Sequence, residues 1–367
     1  MCKNYVRVIS FFWVVLVFFS CAKDDDHYIP IEEPEEISPV VFDIENVPYS
    51  TLSEYNFFEG TLSDLAPVYG VLPYDVISPL FSDYAHKKRF VWMPKGSEAH
   101  YVDDYSIIDF PLGTILIKNF YYDQVLPEGS KKLIETRLQI KKEEGWVFAN
   151  YIWNDSQTEA SFDLTGSFKS FQFGENGVQK TINYRIPAYP ECLTCHKSEN
   201  DTPYPIGVKP QNLDRNFTYQ DGSTMNQLEK WVEFGYLNPD IPNSINHMVP
   251  WDNDTQDLES RVRSYLDINC AHCHSEFGHC NYRELRFAFH KTEDLGNLGL
   301  CMVAQDSFDA MPLNIINPGH AENSAIVTRL NTTEESLRMP MLGRTLKHDE
   351  GIELMETWIN SLNINCE

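Results

Sequence analysis

Basic side chains are scarce in this chain. Twenty-nine Lys and Arg stand against 54 Asp and Glu over 367 residues, a formal net charge of −25. Such a surface repels phosphate backbones and anionic lipid, which argues against nucleic-acid binding and favours a basic protein partner. Long apolar runs are also missing. The longest, residues 9–19, is apolar but for Ser10 and falls short of the roughly 20 residues that cross a bilayer as a helix. There is no internal repeat either. What the chain does have is core material, 42% hydrophobic and 13% aromatic residues, which excludes a disordered chain and suits two domains.

The short apolar run follows Lys3 and Arg7, the pattern of a secretory signal. Phe18-Phe19-Ser20-Cys21 resembles a lipobox, so residues 1–20 read as a lipoprotein signal peptide and Cys21 as the lipidated new N-terminus. Losing Lys3 and Arg7 but no acid takes the mature charge to about −27. An uncleaved anchor is the alternative, and both place the body outside the cytoplasm, on the periplasmic or cell-surface side of an outer membrane. Residues 21–44 mix Asp, Glu, Pro and Ile without period (Pro30, Pro34, Pro39), which predicts an acidic flexible tether.

Residues 45–188 read as a β-rich domain. Segments 90–93, 114–122, 134–140 and 146–153 are aromatic and β-branched, and turn signals at Pro111-Leu112-Gly113 and Pro127-Glu128-Gly129 punctuate them. Strands so spaced, with no helical period between them, predict an antiparallel sandwich-like sheet. The pattern changes near residues 185–190. Leu228, Trp231 and Val232 form a helical stripe, as do Leu258, Val262, Tyr265 and Leu266, and Ile352, Met355, Ile359 and Leu362. The expected fold class is therefore α+β multidomain, the β-rich domain being followed by a segment at 189–250 and a mainly α-helical domain at 251–367.

Two pentapeptides carry chemistry. Cys192-Leu193-Thr194-Cys195-His196 and Cys270-Ala271-His272-Cys273-His274 are both C-x-x-C-H, the pattern for covalent attachment of a c-type heme. Two thiols three positions apart each add S–H across one vinyl C=C of the porphyrin, and the following neutral imidazole meets the iron. Two hemes c are thus the expected cofactors, bound through Cys192, Cys195, Cys270 and Cys273, with His196 and His274 on iron. A four-cysteine zinc site or a pair of redox dithiols is the alternative, but neither needs a His after each pair.

The second motif has the parts of a small one-heme cytochrome c-like domain. A helix leads into it, and Arg338-Met339-Pro340-Met341 follows before a terminal helix. Met339, biased to extended backbone by Pro340, is the expected distal thioether, with Met341 the runner-up. The first motif follows Pro187 and Pro190, so no long helix enters it. Its distal ligand is open among Met248, His247, Met225 and an empty sixth position. His272 lies on the same side of the second ring as His274 and is not expected on that iron; His279, His290, His320 and His348 read as solvated or structural. Of the 9 cysteines, Cys280 and Cys301 are expected to pair in the oxidising compartment, leaving Cys366 free.

Ordered blocks along residues 48–362 carry a family resemblance. They are residues 73–85, 90–94, 110–118, 152–154, 157–160, 191–196 and 265–274, then Pro318-Gly319, Met339-Pro340 and Gly343-Arg344. In these the chain resembles a family of bacterial exported diheme c-type cytochromes. The resemblance implies electron transfer by two hemes between redox partners at the cell envelope, with membrane association through the N-terminal lipid. Two other readings stand beside it. One is a diheme peroxidase-like enzyme in which an open first heme reacts and the second relays electrons. The other is a binding module whose sheet presents Trp92, Trp146 and Trp153, which core packing accounts for better.

Overall fold

The computed structural model describes residues 36–197, 202–305 and 313–366. Cys21 and the first part of the expected tether lie outside them. Ile37–Glu367 forms one compact unit.

Eight strands make one antiparallel sheet: β1 (Leu72–Tyr74), β2 (His86–Trp92), β3 (Ile115–Val125), β4 (Ser130–Lys142), β5 (Gly145–Trp153), β6 (Ala160–Phe162), β7 (Ser167–Glu175) and β8 (Val178–Ile186). From β3 the sheet runs through β4 and β5 to β6. The other edge of β3 is shared. Its first part pairs with β2, from His86↔Tyr121 to Trp92↔Ile115, and Val125 pairs with Phe173 of β7. The four strand-like segments read from sequence fall on β2 to β5, within a residue of the strands' bounds where they overrun them. The hairpin of β7 and β8 turns at Asn176-Gly177, both with positive φ (49° and 77°), the geometry a two-residue hairpin loop requires.

The sandwich expected from sequence is corrected here. Among the described residues there is one large sheet beside two two-stranded ribbons, and its second layers are loops, short helices and those ribbons rather than another large sheet. On one face Ile115, Ile117, Leu138, Ile140 and Tyr151 pack under the chain of residues 47–71. On the other, Leu116, Trp146 and Phe148 pack against Leu213, Leu228 and Trp231. Alternate residues of β3 thus enter opposite cores, the two-residue period of a strand buried on both faces.

The mainly helical C-terminal region is corrected as well. Helices α1 (Tyr189–Cys195), α2 (Gln227–Glu233), α3 (Leu258–Leu266), α4 (Ala325–Leu330) and α5 (Asp349–Ser361) are present. Between α3 and α4, however, the described chain is mostly turns and isolated bridges around Leu285, Phe287, Leu298 and Ile316. Gly296, Gly299 and Asn317-Pro318-Gly319 break any helical period there. Strand outweighs helix among the described residues.

A strap at residues 75–85 crosses from the sheet to the C-terminal half. Asn212 accepts the Ile77 amide through its carbonyl (2.8 Å) and the Ser78 amide through its side chain (2.9 Å). The Phe81 amide donates to Oδ1 of Asn269 (2.9 Å). Buried Asp83 accepts the amides of Thr345 and Leu346, each at 2.7 Å from Oδ1, and its carbonyl takes the Tyr122 hydroxyl (2.8 Å).

The disulfide expected between Cys280 and Cys301 does not form. Cys301 bonds Cys366, their Cα atoms 5.3 Å apart, and Cys280 is a buried free thiol whose amide donates to the Cys273 carbonyl (2.9 Å). Proximity in sequence suggested the wrong pair: α5 returns the C-terminus to the Cys301 turn, while Cys280 is drawn under the second motif. Cys366→Ser is expected to cost about 2–4 kcal/mol by freeing a 65-residue loop in the unfolded chain, read from urea midpoints without reductant. Cys280→Ser is expected to leave the cross-link intact in a peptide map.

Candidate functional site

The first Cys-x-x-Cys-His segment begins where β8 ends. Pro190 sits in the first turn of α1, where its missing N–H costs no helical hydrogen bond. Glu191 reaches back to the Ala188 amide (2.7 Å) and pairs with Arg185 of β8 (2.5 Å), which stitches the short helix to the strand. His196 caps the helix. Its Nδ1 lies 2.8 Å from the Tyr204 carbonyl oxygen, so Nδ1–H donates and Nε2 keeps the lone pair a metal would need. Burial pushes its pKa down to about 3, which leaves the ring neutral.

A cavity of about 540 Å³ opens beside these residues. Cys192, Cys195 and His196 line it, facing Phe148 of β5 and Arg137 and Gln139 of β4. Arg137 pairs with fully buried Glu135, and its Nε has no hydrogen-bond partner. Phe81 of the strap and His348, just before α5, form another part of the wall.

The second segment follows α3, whose N-cap Asp257 accepts the Ser260 amide and whose Val262, Tyr265 and Leu266 enter the core. The helix continues into a wider turn, Asp267–Ala271. Buried Asp267 fixes that turn by accepting from Lys209 Nζ at 3.0 Å on both oxygens and from the Phe289 amide at 2.9 Å. The amides of Cys273 and His274 then fold back on the Cys270 carbonyl, at 3.1 and 2.9 Å. Cys270, Cys273 and His274 line a second cavity of about 360 Å³, with Phe287, Met302 and Met339 among its other walls. Burial pushes the His274 pKa down to about 4.

Met339 is held from both sides. Its amide donates to the Arg329 carbonyl (3.0 Å), and its carbonyl accepts from Arg344 Nε (3.2 Å). Arg344 is itself buried, its guanidinium also satisfying the carbonyls of Arg329 and Thr332.

The two segments converge. A ligand atom of Cys195, one of His272 and one of Cys273 all lie within 4.8 Å of one another. Cys195 lines both cavities, which also share Asn269, Leu330, Pro340, Met341 and Leu342. In the unmodified chain the nearby Cys273 thiol and His272 ring hold the Cys195 thiol well below its usual pKa range, while Cys195 and burial push Cys273 up. A third, larger hollow of about 760 Å³ contains none of the cysteines.

The expected distal candidates of the first motif lie elsewhere. Met248 is fully buried with Ile77, Ile268 and Phe289, Met225 is on a two-stranded ribbon, and exposed His247 points to Asp214. None of the three lines the first cavity. Sequence reasoning did not single out Arg137, Tyr204 or Asp267. Strand position and tertiary pairing place them, and neither leaves a local pattern.

The donor set suits a porphyrin iron. Each cavity offers two thiols and a neutral imidazole on one side, has largely apolar walls, and falls in the size range of small-molecule pockets. No family model, curated protein or solved structure matches the chain.

His348 supports the wall between the first cavity and the strap. It stacks on Phe81 with ring centroids 4.0 Å apart, and its Nδ1 meets the Tyr265 hydroxyl at 3.1 Å. Burial lowers its pKa from 6.5 to about 3. The unfolded chain therefore takes up a proton first. The stability tied to a neutral ring is complete above pH 6.5 and is lost as pH falls toward 3. His348→Gln is expected to flatten this acid loss relative to the parent, measured as urea midpoints against pH.

Proposed function

We propose that the chain is an exported two-heme c-type cytochrome that passes electrons between redox partners at the cell envelope. The observation that carries this reading is that each Cys-x-x-Cys-His segment lines its own cavity and the two cavities share a wall at Cys195. Heme iron supplies one-electron exchange between two oxidation states.

The chain's residues do the rest. Cys192 and Cys195, and Cys270 and Cys273, form the thioether bonds. His196 and His274 face iron as neutral imidazoles. The Tyr204 carbonyl orients the first of these rings by taking its Nδ1 proton. Met339, fixed by Arg344, supplies a thioether to the second site. Arg137 on the first side and Arg329 on the second bring positive charge to cavities that would receive anionic propionates.

The −25 charge favours a basic redox partner. The lipobox-like Cys21 supports a lipid-anchored exported form, and the sequence blocks support membership of the diheme family.

Pyridine hemochrome quantification on protein matured with a heme-attachment system tests the reading. Two hemes per chain are expected, and one from either Cys192→Ala/Cys195→Ala or Cys270→Ala/Cys273→Ala. A parent protein with no covalent heme would reject the proposal and return the four thiols to zinc.

Met339→Ala is expected to leave two hemes attached and to lower one midpoint potential, because a thioether ligand raises the potential relative to nitrogen or water. A redox titration showing both potentials unchanged would remove Met339 from the iron.

A further inference from the structure

Within the second motif, neighbouring side chains face different cavities. Cys270, Cys273 and His274 line the second cavity. His272 does not; it lines the first, with Cys192, Cys195 and His196. Its ring is 8% exposed, and its Nδ1 is buried with no hydrogen-bond partner. A buried polar atom left unpaired costs about 1–3 kcal/mol, a cost that a bond to metal would offset. A nitrogen of the ring also lies within 4.8 Å of the sulfur of Cys195, one of the thiols that would hold the first heme, and of its own motif's Cys273.

We infer that His272 is the sixth ligand of the first heme iron, so that the second motif serves both hemes. The inference rests on the two-heme reading and supplies the ligand that the first motif's own surroundings lack.

Other iron-binding side chains on that cavity are placed less well. His348 is stacked on Phe81 and hydrogen-bonded to Tyr265. His279 is exposed. Met341 is half-buried and lines both cavities, which makes it the rival. With His272 on the first iron, residues 272–274 join the two irons by three consecutive residues, the middle one bonded to the second porphyrin. A solvent-open first iron, as a peroxidase-like reaction requires, is then excluded.

The test uses the full chain matured with two hemes. The parent is expected to be low-spin at both irons by electron paramagnetic resonance, and to bind no carbon monoxide when reduced. His272→Ala is expected to turn one heme high-spin and take up one carbon monoxide per chain. His272→Met is expected to stay low-spin with one midpoint potential raised. It decides the matter if the alanine variant fails to mature.

A high-spin heme or carbon monoxide uptake in the parent overturns the assignment. So does a His272→Ala protein that stays low-spin and closed, or a conversion to high spin at the first heme by Met341→Ala instead. Each of these leaves two hemes counted, whereas the absence of covalent heme in the parent fails the underlying reading itself.

Discussion

A loop with no regular structure holds the molecule together, and buried side chains make that loop possible. The strap at residues 75–85 has backbone amides that no strand or helix satisfies. Asn212, Asn269 and Asp83 provide the partners, two by accepting strap amides and one by reaching from the strap to the chain beyond Met339. Burying an amide without a partner costs on the order of 1–3 kcal/mol, so these three side chains decide whether the strap can lie between the sheet and the C-terminal half at all. Two of these contacts also reach the candidate site. Asn269 belongs to the turn that leads into Cys270, and Asp83 holds Thr345 and Leu346, next to buried Arg344. The sheet thereby sets the positions of the second motif and of Met339.

Charge is distributed unevenly around this frame. The chain is strongly acidic, yet the cavities carry cations: Arg137, Arg185, Arg338 and Arg344 at the first, Arg283 and Arg329 at the second. Several of these guanidiniums spend their hydrogen bonds on backbone carbonyls, so they serve as scaffold as well as charge. Carboxylates answer part of that charge, Glu135 pairing with Arg137, Glu191 with Arg185 and Glu335 with Arg338, so Arg344 is the guanidinium of the first cavity that backbone carbonyls alone surround.

Much of the secondary structure was legible because strands and amphipathic helices leave a period. β2 to β5 and the stripes of α2, α3 and α5 follow from spacing alone, whereas the β7–β8 hairpin went unread although Asn176-Gly177 marks its turn. The sandwich was misread because burial on both faces signals a second layer without saying what it is made of, and here loops supply it. The helical C-terminal half was over-read from two genuine helices, α3 and α5, since the turns between α3 and α4 have no period to set against them. The two Cys-x-x-Cys-His segments were visible as motifs. Their convergence was not: it depends on Lys209 meeting Asp267 and on the strap's contacts, all pairings between distant residues. His272 stood in plain view, but its direction follows from the wide turn after α3, which propensity does not encode.

The Cys301–Cys366 bond closes the chain into a ring. Met302, α4, the Met339 loop and α5 all belong to it, and with them most of the wall opposite Cys270, Cys273 and His274. A single cut in the backbone anywhere inside the ring leaves both pieces covalently joined. A nicked copy therefore keeps the far wall of its second cavity tethered to the rest of the molecule.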